Sequence, residues 1–175
     1  LIGIPTGIKI FSWMATIWGG RIQFTTPMLY ALAFIGTFSF GGITGVYLAC
    51  VPVDLHEHGS YFVVAHFHYV VAGGAVTAFF AGFYYWFPKA TGRLLSEKMG
   101  KLSFWLFMIG LTGTFMPMHW LGLEGMPRRY ASYETFAKAF PDAVFWNRFE
   151  SVSSFLMVLS VLLVAINIVR SLRSG

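Results

Sequence analysis

The sequence predicts an all-α fold: an integral membrane protein built as a polytopic bundle of about five transmembrane helices. Composition is the first observation behind this prediction, because charged residues make up 11% of the 175 residues and hydrophobic residues make up 57%. Soluble domains carry about 25% charged residues, so a surface this poor in charge would not be solvated in water. The second observation is that the apolar residues form runs long enough to cross roughly 30 Å of hydrocarbon.

Five apolar runs define the predicted membrane-spanning helices. They cover residues 2–19, 28–51, 60–87, 102–121 and 152–169. The second and fifth runs contain no charged residue, which makes them strong transmembrane candidates. The first run is borderline in length and contains Lys9. Glycine, proline and charged residues separate the runs, as expected where helices reach the membrane surface.

Basic residues divide the predicted loops into two sets. When the loops are placed alternately on the two sides of the membrane, one side receives Arg21, Lys89, Arg93, Lys98, Lys101, Arg170 and Arg173 against the single carboxylate of Glu97. The positive-inside rule places this side, and with it the C-terminus, in the cytoplasm. Loops 52–59 and 122–151 then face outward. The net charge of +5 therefore reflects topology, and we expect the lipid bilayer as a partner and no nucleic acid.

Small residues cluster in the second run. Gly41 and Gly45 have the spacing of the GxxxG motif, at which transmembrane helices approach closely. Glycine is also generally common in membrane helices. The sequence leaves both interpretations open, and neither indicates chemistry.

Two histidines lie inside the third run, where ionisable side chains are costly and are often functional. His66 and His68 are two residues apart, so their side chains leave a helix about 200° apart and cannot bind one metal. Either each imidazole binds its own centre, or each forms a hydrogen bond to a neighbouring helix. Imidazole is a common protein ligand of haem iron, so two haems, one on each face, are one of the predicted outcomes.

Two adjacent arginines follow the fourth run, on the same side of the membrane as the start of the third. His66 lies six residues after Ser60, which places the histidines roughly 10 Å below this surface. Haems bound there would direct their propionates outward, toward Arg128 and Arg129. Guanidinium groups pair well with carboxylates. Anchoring of lipid headgroups is the alternative role for this pair.

The third ionisable site is Lys9, in the first run. Thr6 and Ser12 lie three residues on either side of it and share its helix face. A desolvated lysine releases its proton more readily, so the three side chains are candidates for proton transport. A lysine that snorkels to the surface or pairs with an acidic residue is the alternative.

The third run closely resembles a motif of a known family. Residues 61–69, which include His66-Phe67-His68-Tyr69, resemble the tenth helix of subunit I of the haem-copper oxidases, the catalytic subunit of cytochrome c oxidase. Residues 4–13 are similar to the eighth helix of that subunit, residues 24–29 to the start of the ninth, and residues 125–130 to the loop before the twelfth. The resemblance implies that residues 1–175 form the C-terminal portion, helices eight to twelve, of a twelve-helix subunit.

The resemblance implies specific roles for the haem-side residues. His66 would be the proximal ligand of the high-spin haem (heme a3 type), where oxygen is reduced, and His68 one axial ligand of the low-spin haem (heme a type). Arg128 and Arg129 would hold the haem propionates. Asp54 matches an acidic position near the propionates of the high-spin haem.

The same resemblance implies a proton pathway and points to one departure. Lys9 would belong to the lysine-centred pathway of the family, with Thr6 and Ser12 helping to line it. Where the family has His-Asp-Thr before the tenth helix, this chain has His58-Gly59-Ser60. That aspartate helps to bind magnesium in the family, and a carboxylate is the natural ligand of this ion, so we expect an altered site at His58.

Several parts of the family's catalytic apparatus fall outside this sequence. The histidine ligands of copper B and the second ligand of the low-spin haem lie on earlier helices, so the chain would need the N-terminal part of subunit I together with subunits II and III. A truncated subunit or a separately encoded portion both fit, and a helix that starts near Pro5 favours the first.

We expect a bacterial cell inner (plasma) membrane enzyme that takes electrons from cytochrome c. A quinol oxidase, a relative of nitric oxide reductase and a non-catalytic scaffold chain are the alternatives. The Lys9 segment resembles oxidases rather than nitric oxide reductase.

Overall fold

The computed structural model describes residues 1–174, and these residues form a helical bundle, as predicted. In chain order the helices are α1 (Gly3–Ile17), α2 (Thr26–Leu48), α3 (Val51–Glu57), α4 (Tyr61–Val70), a π-helical segment (Val71–Val76), α5 (Thr77–Thr91), α6 (Glu97–Leu123), α7 (Glu134–Ala139) and α8 (Asp142–Ser174). The π-helical segment joins α4 and α5 into one continuous rod of 31 residues.

Four of these helical units are long and apolar enough to cross a membrane: α2, the α4–α5 rod, α6 and α8. The chain is therefore a multi-pass membrane protein. The predicted first span is present as α1, but α1 has 15 residues, a length of about 22 Å at 1.5 Å per residue. It packs against α2, where the rings of Trp13 and Phe34 lie 4.9 Å apart.

Helical structure extends into two segments predicted as outward loops. Helix α3 occupies most of loop 52–59, with Pro52 in its first turn, where a missing N–H group costs nothing. Helix α8 begins at Asp142 rather than at residue 152. The first turns of α8 carry Asp142 and Arg148, so hydropathy alone did not include them. Asp142 favours the N-terminus of a helix through the helix dipole.

An aromatic cluster forms the main core between α2, α5 and α6. Tyr30 of α2 is fully buried, and its ring lies 5.3 Å from Phe80, 6.1 Å from Tyr84 and 5.0 Å from Phe104. These separations and tilts are the preferred geometry for aromatic pairs. On the other side of α6, a Cβ added to Gly113 would lie 2.6 Å from Ser153 Oγ, so α6 and α8 pack in close contact.

The two ends of the bundle differ in their connections. At one end, the Thr26 N–H donates to Glu97 Oε1 at 2.7 Å, and Arg93 Nη1 donates to the Ser171 carbonyl at 3.1 Å. This end gathers the loops that are rich in lysine and arginine. At the other end, the Tyr61 N–H donates to the Met126 carbonyl at 2.8 Å. The contacts agree with the alternating placement of loops that the charge pattern predicted.

Candidate functional site

Helix α4 lies between α2 and α6, and its first turn is tightly fixed. Ser60 precedes the helix, and its Oγ accepts a hydrogen bond from the Phe62 N–H at 3.2 Å and donates one to Glu57 Oε2 at 2.6 Å. A Cβ added to Gly122 of α6 would lie 2.1 Å from the Phe62 nitrogen. The backbones of α4 and α6 therefore touch at this level, and α4 has little freedom to shift.

His66 points from α4 toward α2. Its Nδ1 lies 2.9 Å from the Gly41 carbonyl oxygen and 3.1 Å from Thr44 Oγ1. A carbonyl oxygen only accepts hydrogen bonds, so Nδ1 carries a proton, and in the neutral imidazole Nε2 presents its lone pair. Within the described residues, Nε2 has no hydrogen-bond partner. This is the tautomer and orientation that a metal-binding imidazole needs.

Two glycines of α2 make room for this contact. A Cβ added to Gly45 would lie 2.6 Å from His66 Cε1, and a Cβ added to Gly41 would lie 3.0 Å from the Val70 nitrogen. The close-packing interpretation of the GxxxG spacing is therefore confirmed at both positions. Gly45 leaves the space that the imidazole ring fills.

His68 points from α4 toward α6. Its Nδ1 lies 2.8 Å from the Val64 carbonyl oxygen, one turn earlier in the same helix. The ring stacks on Phe115 with centroids 4.2 Å apart and planes 13° apart, and Phe67 lies 4.4 Å away. Its Nε2 is therefore also the nitrogen with the lone pair. As the spacing predicted, the two imidazoles face different helices, and no group of three potential metal ligands occurs within residues 1–174.

A third histidine, His119 of α6, packs against aromatic rings of α2 and α4. It is 7% exposed, and its ring lies 5.4 Å from Phe40, 5.0 Å from Phe62 and 5.5 Å from Tyr69. Its Nδ1 lies 3.1 Å from the Phe115 carbonyl oxygen, and its Nε2 is buried without a partner in the described chain. Its contacts are those of a packed core residue.

The arginine pair lies beside the start of α4. The Arg128 N–H donates to the Gly59 carbonyl at 2.9 Å, and Ser60 pairs with Pro127 in an antiparallel bridge. Arg128 is half-buried, whereas Arg129 is exposed and has a positive φ of 61°. A positive φ is uncommon outside glycine, and here it occurs where the loop turns away from α4. The backbone contacts hold Arg128 at the end of the bundle where α4 begins.

Of the two carboxylates on α3, that of Asp54 lies beside His58 and that of Glu57 does not. His58 Nδ1 and Asp54 Oδ1 form an exposed pair at 3.3 Å along α3. Glu57 is 8% exposed, and its carboxylate accepts from Ser60 at the start of α4, as described above. The Glu57 carboxylate therefore points toward the first turn of α4 and not toward His58. An altered magnesium site stays a prediction.

Lys9, Thr6 and Ser12 all lie on α1. Thr6 Oγ1 donates to the Ile2 carbonyl and Ser12 Oγ to the Ile8 carbonyl, each at 2.8 Å. Both hydroxyl protons are therefore bound to the backbone of the same helix, and the oxygens keep lone pairs that can accept hydrogen bonds. Lys9 is exposed and forms no ion pair with any described residue.

The sequence did not reveal a polar group next to the arginine loop. The hydroxyls of Tyr61 and Tyr130 lie 2.8 Å apart, and Tyr130 also reaches Asn147 Oδ1 at 3.4 Å. Glu150, one turn further along α8, is 3% exposed, and its Oε1 has no partner among the described residues. Charge patterning placed Glu150 in an outward loop. The early start of α8 turns it into the bundle instead.

Comparison with known proteins places the chain in context. The sequence model of the family described as Cytochrome C and Quinol oxidase polypeptide I matches residues 1–156. The probable cytochrome c oxidase subunit 1-alpha of Streptomyces avermitilis is 51% identical over the whole of this chain and 30% of its own length. Cytochrome c oxidase subunit 1 of Corynebacterium efficiens is 49% identical over the same shares. The chain thus spans about 30% of the length of these relatives.

A solved structure shows the same fold. A heme-copper terminal oxidase dimer determined by cryo-EM superimposes with a TM-score of 0.72, over 83% of this chain and 26% of that one. The sequence identity is 24%, so the likeness concerns the fold. The helical arrangement described above therefore occurs within a larger membrane protein.

Proposed function

The chain belongs to the cytochrome c and quinol oxidase polypeptide I family, and we propose that it is the C-terminal haem-ligand portion of the catalytic subunit of a terminal respiratory oxidase. The complete enzyme would reduce oxygen to water with electrons from cytochrome c and couple this reaction to proton pumping. One observation carries the proposal: two imidazoles leave opposite sides of α4, and each donates from Nδ1 to a carbonyl and keeps Nε2 as a potential ligand.

The two histidines would serve two separate haems. In this proposal His66 would hold the high-spin haem and His68 would hold the low-spin haem. When bound, the haems would supply electron transfer and, together with a copper B whose ligands would lie on other helices, the site of oxygen reduction. The Gly41 and Val64 carbonyls fix the ring orientation of His66 and His68, and hydrogen bonding of this kind strengthens imidazole as a ligand.

The arginine loop would bind the haem propionates. Arg128 is held beside the start of α4 by the hydrogen bond from its N–H to the Gly59 carbonyl, and Arg129 is the next residue of the same loop. Guanidinium groups keep nearby carboxylates ionised. Asp54, half-exposed on α3, is the acidic residue assigned to the same surface.

Lys9 would carry protons from the cytoplasmic side. Thr6 and Ser12 accept hydrogen bonds through their free lone pairs and would line the route beside it. We place the C-terminus in the cytoplasm of a bacterium and assign the N-terminal part of subunit I, subunits II and III, and cytochrome c as partners.

Ligand substitution tests this assignment. In the purified oxidase complex that contains this chain, we expect His68→Ala to remove the low-spin haem signal from the reduced-minus-oxidised spectrum and to retain the signal shifted by carbon monoxide. His66→Ala should weaken or remove the carbon monoxide-sensitive signal instead. His56→Ala, which removes an exposed histidine of α3, is the control and should change neither signal. An unaltered low-spin spectrum in His68→Ala would contradict the ligand assignment, and absence of both haem signals in the unmodified complex would identify a scaffold chain.

A further inference from the structure

Glu150 lies at the boundary between two parts of α8 that are held in different ways. From Ser153 onward, α8 packs directly against α6. A Cβ added to Gly113 would lie 2.6 Å from Ser153 Oγ, and one added to Gly110 would lie 2.9 Å from the Met157 nitrogen. Small residues allow membrane helices to approach this closely. The part of α8 that follows Glu150 is therefore fixed by close packing against α6.

The turns of α8 before Glu150 depend instead on polar contacts with the arginine loop, residues 125–130. Asn147 Nδ2 donates to Met126 Sδ at 3.7 Å, and Asn147 Oδ1 accepts from the Tyr130 hydroxyl at 3.4 Å. Met126 and Tyr130 lie on either side of the two arginines in the sequence. One side-chain amide thus joins the start of α8 to both ends of the segment that carries the arginines.

The side chain of Glu150 is enclosed at this boundary. It is 3% exposed, and its Oε1 is buried without a hydrogen-bond partner among the described residues. Thr114 of α6 donates from Oγ1 to the backbone carbonyl of Glu150 at 3.4 Å, which leaves the carboxyl oxygen unsatisfied. Residues of this chain already enclose Oε1. Parts of the subunit outside this sequence therefore have no access to it while these helices stay packed.

Positive charge near Glu150 does not compensate a carboxylate there. The ion pairs within residues 1–174 join His58 to Asp54 and Lys101 to Glu97, so neither arginine of the arginine loop pairs with Glu150. The other charged residues of α7 and of the first turns of α8 are all exposed: Glu134, Lys138, Asp142 and Arg148.

The ionisable groups that pack toward Glu150 are phenols. Tyr61 of α4 lies near enough to interact electrostatically with Glu150, Tyr130 and Tyr133, and a phenol is uncharged at neutral pH. His119, the ionisable residue in the second half of α6, packs against rings of α2 and α4. An isolated ionised carboxylate is strongly disfavoured in such surroundings, and the group takes up a proton instead.

We propose that Glu150 is a proton-binding site, neutral while the first turns of α8 are packed, and that release of its proton loosens the arginine loop. With the proton, the carboxyl is an uncharged group among tyrosines. Without it, the charge requires water, and water reaches Oε1 only when the turns before Ser153 move. The proton passes to this water, and the movement breaks the contacts of Asn147 with Met126 and Tyr130. The site requires no haem, so it goes beyond the proposed function.

The pH dependence of hydrogen exchange tests this coupling. Opening of the first turns of α8 releases one proton, so rising pH favours the open state. The equilibrium constant for opening should increase about tenfold per pH unit wherever Glu150 is protonated when packed and ionised when open. Hydrogen–deuterium exchange of residues 142–150 in the purified oxidase complex measures this constant, once the pH dependence of the chemical exchange rate is divided out. Glu150→Gln keeps the shape of the neutral carboxyl and should abolish the dependence.

Infrared spectroscopy detects the proton itself, because a protonated carboxyl and an ionised carboxylate absorb at different frequencies. At neutral pH, the spectrum of the unmodified complex minus that of Glu150→Gln should contain the carbonyl band of a carboxylic acid. Glu150→Asp keeps an ionisable carboxyl, so it should retain both a carboxylic acid band and the pH-dependent exchange. This variant keeps the test decisive if Glu150→Gln does not assemble.

Glu134→Gln is the matched control, because it removes an exposed carboxylate of α7 and should leave the exchange of residues 142–150 and its pH dependence unchanged. Bands of an ionised carboxylate from Glu150 at neutral pH would overturn the proposal. So would exchange in the unmodified complex that does not depend on pH, or an equal dependence in Glu150→Gln, since another group would then control the start of α8.

Discussion

The two histidines of α4 are held by different kinds of contact. His66 depends on a neighbouring helix: the Gly41 carbonyl, the Thr44 hydroxyl and the space left by Gly45 all belong to α2. His68 depends on α4 itself, through the Val64 carbonyl, and on one ring from α6. The position of His66 is therefore sensitive to the packing of α2 against α4. The orientation of His68 is largely fixed once α4 is helical, and changes in α2 should affect the two sites unequally.

The largest expected effect comes from Gly45→Ala, which fills the space occupied by His66. The new Cβ would lie 2.6 Å from Cε1, closer than atoms in proteins approach, so the imidazole must move or the helices must separate. Overpacking of this kind costs about 1–3 kcal/mol. We expect the carbon monoxide-sensitive haem signal to fall by more than half while the low-spin signal persists. Difference spectra of the purified complex, normalised to protein, provide the measurement.

Gly42→Ala is the matched control for this substitution. It lies on the same helix, and a Cβ at this position would meet no atom within 4 Å. The change should be neutral or slightly stabilising, because alanine favours a helix over glycine by about 1 kcal/mol. If the carbon monoxide-sensitive haem signal were undiminished in Gly45→Ala, or fell equally in Gly42→Ala, the position of His66 would not depend on the space left by Gly45.

Phe115→Leu tests the contacts that hold His68, and its expected effect is smaller than that of Gly45→Ala. It removes the ring stacked on His68 and retains an apolar side chain. Aromatic pairs contribute about 0.5–1.5 kcal/mol beyond the area they bury. We expect the low-spin band to shift or broaden while the carbon monoxide-sensitive signal stays unchanged. Absorption spectra of the reduced complex at low temperature resolve the band.

Phe107→Leu controls for the loss of a buried ring from the same helix. Phe107 is 3% exposed and contacts Tyr30 and Phe80 rather than His68. It should lower thermal stability without altering the low-spin band. If both variants shifted this band to the same extent, the stacking on His68 would not be the cause.

The sequence predicted those features that depend on helix geometry alone. The divergence of His66 and His68 follows from the helical period, and the apolar runs located every long helix. The identity of the groups that hold each imidazole depends on which helix packs against which face of α4. The Thr44 and Phe115 contacts were therefore invisible in the sequence, because neither residue type nor spacing marks them.

Glu150 shows a second limit of prediction from the sequence: its charge predicted the wrong environment. Its charge assigned it to an outward loop, yet α8 begins at Asp142 and directs Glu150 into the bundle. Hydropathy measures composition within a window, whereas burial depends on the direction of each side chain. A charged residue near the end of an apolar run therefore marks the helix boundary poorly. Even so, GxxxG spacing on α2 was a usable signal, since both of its glycines lie against α4.

The smallest expected effect, and the sharpest test of how α2 holds His66, comes from Thr44→Val. Thr44 Oγ1 donates to the Gly41 carbonyl at 2.8 Å and also lies 3.1 Å from His66 Nδ1, so the hydroxyl and the imidazole share one acceptor. Valine keeps the shape and removes the hydroxyl, at a cost of about 1 kcal/mol. The Gly41 carbonyl then accepts a hydrogen bond from His66 alone, and this stronger hydrogen bond makes the imidazole a stronger electron donor to bound iron. The iron–histidine stretching band in the resonance Raman spectrum should therefore move to higher frequency. Thr44→Ser keeps the hydroxyl and should leave the band in place. An unmoved band in Thr44→Val would show that the Thr44 hydroxyl does not weaken the hydrogen bond from His66 to the Gly41 carbonyl.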